Sequence, residues 1–417
     1  MDKELEKVQE KLKKYNQEHL LNGYEKLSDT KKQILLEQIN NLDFEQILEL
    51  YENTKKEINF ENTKITHMEY VDKSKLSNEE YDKYYKLGCK IIENGKYAVL
   101  TMAGGQGTRL GHTAPKGTFK IGGGIEKSLF EALSDTIKEA QEKFKSVVPW
   151  YIMTSRENND ATELFFEENK YFGLNKNNII FFKQGELPMI DTNGKILIDE
   201  TGTIKLAADG HGGVFEAMRK NGCIEDMKKR GIEWIFISGV DNVLAGLVDP
   251  IATGLALDKN TLATGKSVVK RAPSERVGVF CRRNNKPYVI EYTEITDEMA
   301  NARDENGELL YGESHILTNL FSIKALEKIS ENRLPYHSAF KKAKYINENG
   351  ELITPEKPNA YKFEAFIFDA FESLEDMSIL RVKREDEFAP LKNAKGEDSP
   401  DTARQLYIDF INRKNNK

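Results

Sequence analysis

Cysteine is scarce in this chain of 417 residues: Cys89, Cys223 and Cys281 are all it has. The number is odd and no pair stands in a C-x-x-C spacing, which argues against a disulfide framework or a zinc knuckle. Long apolar runs are missing too, with no stretch approaching the roughly 18 residues of a membrane helix. The first residues, MDKELEKVQEKLKK, contain no apolar h-region and mix acids with bases. Neither a secretory nor a transit signal is therefore expected, and the expected location is a reducing cytoplasm. An excess of positive charge is also lacking, since 61 Lys and Arg face 68 Asp and Glu, a formal net charge of −7. That balance excludes a surface devoted to nucleic acid. Neither nucleic acid nor membrane is expected as a partner. A small anionic ligand remains open, because a local basic pocket can sit inside an acidic protein.

What is present reads as globular: 39% hydrophobic residues, 10% aromatic and 31% charged. The length alone suggests two to three domains at roughly 150 residues each. Residues 1 to about 60 read as helices, with Leu5, Val8, Leu12 and Tyr15 at helical spacing and Ile34, Leu35, Ile39 and Leu42 repeating it. Ser28, Asp29 and Thr30 offer N-cap oxygens before the second run. A coiled coil is excluded by the interruption at Asn22–Gly23 and the absence of a sustained heptad. From about residue 94 the texture becomes α/β. Continuous apolar runs at 97–102, 147–153, 179–182 and 234–238 suit strands buried on both faces, separated by helices over 127–145 and 213–230. Shorter strands are expected at 268–270, 277–280 and 288–292, and a single helix near the end of the chain. The alternation predicts a doubly wound, mostly parallel sheet that becomes mixed in its later part. The expected division is an N-terminal helical region over 1–93 packing on the core, a catalytic domain over 94–385 and a short C-terminal segment over 386–417.

The strongest local feature is L-T-M-A-G-G-Q-G-T-R-L-G-H-T-A-P-K-G, residues 100–117. A strand feeding a glycine-rich loop exposes backbone N–H groups that can cradle phosphate oxygens. Arg109 and Lys116 would add two positive charges to a polyphosphate. The loop is not a Walker A loop, because Lys116 precedes Gly117 rather than following a glycine. It is not a dinucleotide fingerprint either, because Leu110 stands where the third glycine belongs. Pro115 would interrupt the helix that both motifs require. Asp241 follows the buried run 234–238, at the end where open α/β sheets place ligands, although Asp–Asn after a strand is also an ordinary turn.

The loop resembles the signature L-x-x-G-G-x-G-T-R-L-G-x-x-x-P-K of the UDP-sugar pyrophosphorylase family, and within it the UDP-N-acetylglucosamine pyrophosphorylase branch. The resemblance continues in order through Q-G-E-L-P at 184–188, A-D-G-H-G-G at 208–213, V-D-N at 240–242 and V-G-V at 277–279. It runs on through V-I-E-Y-T-E at 289–294, F-I-F-D at 366–369 and R-E-D-E-F-A-P-L-K-N at 384–393. A looser likeness surrounds Glu18-His19-Leu20-Leu21. The resemblance implies a Rossmann-like, GT-A-like doubly wound mixed sheet. It implies a uridylyltransferase that joins UTP and a sugar 1-phosphate, releasing pyrophosphate with Mg²⁺, or alternatively Mn²⁺, as cofactor. Gly104 and Gly105 would then lie against uracil and ribose, with Gln184 on the uracil edge. Gly210 and His211 would approach the nucleotide. Arg109 and Lys116 would bind the UTP phosphates, Asp241 the metal, and Lys392 the sugar phosphate. Glu291, Gly278, His315, Phe366 and Phe368 would line the sugar site, the two phenylalanines alternating towards one face of a strand.

Two positions depart from the branch. His211 replaces the asparagine of D-G-N-G-G, as in the glucose-specific and broad UDP-sugar branches, and His315 stands where the branch has a sugar-contacting asparagine. Both histidines can donate a hydrogen bond. The alternatives are therefore a UTP–glucose-1-phosphate or broad-specificity uridylyltransferase within the class, and a catalytically inactive nucleotide-sugar sensor outside it. A nicotinamide oxidoreductase is a distant third. The segment after Ser399-Pro400-Asp401 is short relative to the family's C-terminal domain. The expected state is a monomer or weak homo-oligomer.

Overall fold

Eleven strands form the main sheet of the computed structural model, which describes residues 2–56 and 63–416. In chain order they are β1 (Ile65–His67), β2 (Val71–Asp72), β3 (Tyr97–Met102), β4 (Trp150–Thr154), β5 (Ile179–Lys183), β6 (Trp234–Gly239), β7 (Ala263–Val269), β8 (Val279–Arg283), β9 (Lys286–Ile290), β10 (Glu313–Ser322) and β11 (Ser378–Arg381). The main path runs β2-β11-β7-β10-β6-β3-β4-β5, while β8 branches from β10 and pairs with β1 and β9. Strands β6, β3, β4 and β5 are mutually parallel. Strand β10 lies antiparallel to both β6 and β7, which makes the sheet mixed as expected.

The winding reverses at β3. From β3 the chain steps to β4 and β5 on one side, then returns to β6 on the other, so β3 and β6 flank the topological switch point. Every residue of both strands is buried, which is why each reads as an unbroken apolar run. Between them in sequence, Ser128 caps the helix Leu129–Phe144 by accepting from Glu131 N. That helix buries Leu129, Phe130, Leu133 and Ile137 in the same cluster as Val99, Trp150 and Phe236. The helix expected over 213–230 is instead two, Val214–Lys220 and Cys223–Lys229. They are separated at Gly222, whose φ of 71° is incompatible with a continuing right-handed helix.

The chain divides into two compact units, neither contiguous in sequence. One gathers Met1–Glu61, Gly185–Gly213 and Leu334–Phe366, and the other Asn62–Gln184, Val214–Arg333 and Ile367–Lys417. This cuts across the boundaries expected from the sequence: 62–93 fall with the sheet, while 185–213 and 334–366 fall with the N-terminal helices. Packing supplies the reason. Val8 and Leu12 from Asp2–Lys14, Leu35 and Ile39 from Asp29–Asn41, and Ile47 from Phe44–Asn53 share one core with Ile190, Ile196, Ile204 and Phe363. Gln17 fastens the same elements, donating from Nε2 to Gly194 O at 2.9 Å and accepting from Ile196 N at 3.0 Å. The N-cap expected at 28–30 is Ser28, and the expected last helix is Pro400–Asn415. Residues 57–60, also expected to be helical, lie outside the described residues.

Candidate active site

The glycine-rich loop leaves β3 at the switch point and folds back on itself. Gly107 N donates to Ala114 O at 3.1 Å and Lys116 N to Gly105 O at 3.1 Å. Two short 3₁₀ turns, Thr108–Leu110 and Lys116–Thr118, take the place of the helix that Pro115 was expected to interrupt. Arg109 rides the first turn, exposed. Lys116 opens the second, its ammonium 3.4 Å from Asp241 Oδ2, with 17% and 23% of the two side chains exposed. Gly104 is held against Gln184: a Cβ there would sit 2.1 Å from Gln184 Oε1. Gly105 has no such neighbour within 4 Å.

Asn158 is a loop determinant that the sequence reading missed. It is 1% exposed, and its Nδ2 donates to Ala103 O at 2.9 Å and Gly105 O at 3.4 Å, while its Oδ1 accepts from Ser155 N. The available signal was an asparagine four residues past the end of a buried strand, where a side-chain amide can tie one loop to another.

Asp241 stands two residues beyond β6, whose last residue Gly239 is in register with Met102 at the end of β3. Its backbone oxygen accepts from Leu391 N at 2.8 Å. Lys392 follows directly, about half exposed, its ammonium 4.0 Å from Asp398 Oδ2. Lys116 and Asp241, singled out from sequence, thus pair beyond the ends of β3 and β6, and the backbone next to Lys392 is bonded to Asp241.

A second group in the same unit surrounds β8 to β10. Gly278 precedes β8, and a Cβ there would lie 3.0 Å from Glu291 Oε1. Glu291 N donates to Glu294 Oε2 at 3.0 Å, which pins the turn after β9. His315 N donates to Gly278 O at 2.9 Å. The His315 ring meets Phe280, Phe368 and Phe371 edge-on at 5.2, 5.8 and 5.8 Å. Its Nε2 lies 3.2 Å from Asn319 Nδ2.

The two phenylalanines are not on one strand face. The strand ends at Glu364, and Ile367–Ser373 is a 3₁₀ helix, buried over Ile367–Phe371. The apolar residues that decide this recur every three positions, at Phe368, Phe371 and Leu374. Phe368 therefore packs with His315, whereas Phe366 belongs to the other unit, where it stacks on His337 at 4.7 Å and lies 5.4 Å from His211. In that unit Gly210 has φ 86°, and a Cβ would strike Ala365 O at 2.4 Å. Gly212 N donates to the same oxygen at 2.8 Å.

No group of three or more His, Cys, Asp or Glu that could hold a metal is present among the described residues. The cysteines supply no nucleophile: all three are buried and free, and burial pushes the Cys223 and Cys281 thiols up to about 12. A cavity of about 560 Å³ lined by Ala132, Phe144, Leu244 and Phe410 contains none of these site residues, and its walls are chiefly helix faces. No helix among the described residues is long and apolar enough to cross a membrane.

Residues 41–397 match the family described as UTP–glucose-1-phosphate uridylyltransferase. The chain belongs to this uridylyltransferase family. Similar to it is a UDP-N-acetylglucosamine pyrophosphorylase of Saccharomyces cerevisiae, 38% identical over 96% of this chain and 85% of the relative. UDP-N-acetylglucosamine diphosphorylase 2 of Arabidopsis thaliana is 36% identical, over 96% and 82%. The solved UDP-N-acetylglucosamine pyrophosphorylase of Trypanosoma brucei, in complex with an inhibitor, superposes with a TM-score of 0.82 at 32% identity, covering 98% of this chain and 85% of that one. The uridylyltransferase fold expected from the motifs is therefore the fold observed.

Proposed function

We propose that this uridylyltransferase joins UTP to N-acetylglucosamine 1-phosphate, giving UDP-N-acetylglucosamine and pyrophosphate. The observation that carries the reading is the Lys116–Asp241 pair at the switch point, with the Lys392 segment bonded to Asp241's own carbonyl. A sugar-phosphate oxygen attacks the α-phosphorus in line. The new O–P bond forms as the bond to the β-phosphate oxygen breaks, and pyrophosphate leaves with the electron pair. No covalent nucleophile is needed, so the protein's work is alignment and charge stabilisation.

Alone, Lys116 and Asp241 neutralise each other. Bound UTP would draw the ammonium onto its phosphates and free the carboxylate for a cation. One carboxylate suits a magnesium ion, or manganese, that keeps most of its other ligands as water and phosphate oxygen, and it does not suit a resident metal cluster. When bound, that ion supplies charge neutralisation across the phosphates. Lys392 would neutralise the incoming sugar phosphate, and Arg109 the outer phosphates of UTP. Gln184 would read the uracil edge, with Gly104 and Gly105 under the base and ribose. Glu291 would accept from sugar hydroxyls, with Gly278 below the ring and His315 and Phe368 beside it. Family resemblance extends the nucleotide contacts to Gly210 and His211 and the sugar contacts to Phe366. A cytoplasmic monomer or weak homo-oligomer completes the proposal.

Gly104→Ala tests the uracil contact. The displaced atom is the free end of Gln184, so the melting temperature should barely move while KM for UTP rises about tenfold. An unchanged KM would remove Gln184 from the nucleotide site.

His211 and His315 favour a second reading, in which glucose 1-phosphate is accepted. Pyrophosphate release from UTP with a panel of sugar 1-phosphates decides between them. N-acetylglucosamine 1-phosphate should lead glucose 1-phosphate by about tenfold or more in kcat/KM, the scale of one well-made or missing contact. The reverse order would move the assignment to glucose, and tight UTP binding without turnover on any sugar would favour a sensor.

A further inference from the structure

We infer that Asn242 is a positioning residue that fixes Lys392 relative to Asp241, making the two substrate-facing charges parts of one anchored turn. The inference rests on the proposed role of Lys392 at the sugar phosphate. Asn242 is 3% exposed, and both the nitrogen and the oxygen of its amide are hydrogen-bonded. Nδ2 donates to Glu387 O at 2.7 Å, and Oδ1 accepts from Ala389 N at 2.9 Å and Leu244 N at 3.2 Å. The backbones add Val243 N to Ala389 O at 3.3 Å and Leu391 N to Asp241 O at 2.8 Å. The strap 387–391 is thus laced to the turn 241–244 at alternate residues, Glu387, Ala389 and Leu391, and Lys392 is the first residue beyond the lacing.

The contrast with Lys392 itself is what gives Asn242 its importance. The lysine side chain is about half exposed, with its nearest carboxylate oxygen 4.0 Å away. The ammonium also lies 5.8 Å from the ring of Phe388, itself a strap residue, and the Lys392 N–H donates to Asp398 O at 2.7 Å, so the reach of this long side chain is set by where strap and backbone are fixed. The far end of the strap is fixed as well: Glu387 Oε2 lies 2.9 Å from Lys266 Nζ, a lysine whose side chain is 1% exposed. Removing the Asn242 amide would take the side-chain partner from two backbone N–H groups, of Ala389 and Leu244, and from the Glu387 carbonyl, and the strap could recover those bonds only by shifting. Phosphoryl transfer is sensitive to displacements of about 1 Å, so a shifted strap should be felt in the sugar-phosphate terms rather than the UTP terms.

The test is a double-mutant cycle on the full chain with UTP, Mg²⁺ and the preferred sugar 1-phosphate. Asn242→Ala should raise KM for the sugar phosphate and lower kcat/KM by about tenfold, while KM for UTP stays within about twofold. In a Lys392→Ala background the same change should cost less than about threefold, because the residue it acts through is gone. Equal losses in both backgrounds, or equal rises in both KM values, would overturn the inference. Hydrogen exchange at the Ala389 and Leu391 amides gives a readout independent of turnover. Protection should fall in Asn242→Ala, and retained protection would overturn the anchor even if the enzyme were inactive. Should the alanine variant fail to fold, Asn242→Asp, which loses only the donor to Glu387, should show the same split in weaker form, and its absence there would count equally against the anchor. Wild-type protein that releases no pyrophosphate while losing strap protection in the variant would instead sink the functional reading and leave the anchor standing.

Discussion

Alanine at Lys116 is expected to lower kcat/KM for UTP by about 10²–10³, the loss typical of one electrostatic stabiliser at a reacting centre. The effect should be large for two reasons that act together. The ammonium that would offset charge building on departing pyrophosphate is removed. The Asp241 carboxylate, now 3.4 Å from nothing cationic, is left to repel the incoming polyphosphate. Asp241→Ala should remove the second problem and create another, since the cation then has no protein ligand at the turn. The two substitutions should accordingly be far from additive, as residues acting as one unit are. Lys116→Arg should recover only part of the loss, because a planar fork on a longer stem cannot put its charge where the compact ammonium was. Steady-state pyrophosphate release across UTP concentrations measures all of these. Lys116→Ala protein within about threefold of wild type would remove the lysine from the chemistry.

The site and its scaffold were unequally legible in the sequence. Strand β3 and the loop it feeds could be read almost to the residue, because burial on both faces writes an unbroken apolar run and the loop follows it immediately. Asp241 was legible for the same reason, as the first carboxylate after such a run. Strand β10 was not anticipated. It is central and buried, yet it reads E-S-H-I-L-T-N-L-F-S, with polar residues through its first half. The partners of the first are distant in sequence: Glu313 meets Arg381 and Ser267, 68 and 46 positions away. A buried strand whose carboxylate is paired across the sheet, and which buries the Ser314 and Thr318 hydroxyls as well, has no local apolar signature. Asn158 and Asn242 were hidden similarly. Each resembles a turn residue until the backbone atoms it binds, 55 and 145 positions away, are known. The two-unit division was illegible for a further reason. A composition shift can mark only a contiguous boundary, whereas Ile190, Ile204 and Phe363 join the N-terminal helices through a core that the chain enters three times.

Lys266→Ala is expected to lower the stability of the sheet unit by about 3–5 kcal/mol, the cost of taking one partner out of a buried ionic cluster. Lys266 Nζ lies 2.9 Å from both Asp249 Oδ2 and Glu387 Oε2, with Lys73 completing the cluster 3.0 Å from Asp249. Without Lys266, two carboxylates share one remaining and more exposed ammonium, and the end of the strap that leads to Lys392 loses its tether. The shift is readable in isolation, because the chain's two tryptophans, Trp150 and Trp234, are buried in β4 and β6 of that unit and report its unfolding by fluorescence. Acid should bring the variant and wild type closer together. Burial alone would raise the Asp249 carboxyl, but Lys266 and Lys73 hold it well below the usual carboxylate range. A depressed carboxylate contributes fully above its unfolded pKa of about 4, and that contribution is lost progressively as pH falls from there through the lower folded value. With Lys266 gone the depression shrinks, so the variant has less of this contribution to lose, and the stability gap to wild type should narrow as pH falls below about 4. Between pH 6 and 8 Asp249 should add no slope to either curve. A destabilisation under about 1 kcal/mol would place the cluster with exposed ion pairs. The strap would then depend on Asn242 rather than on its buried charges.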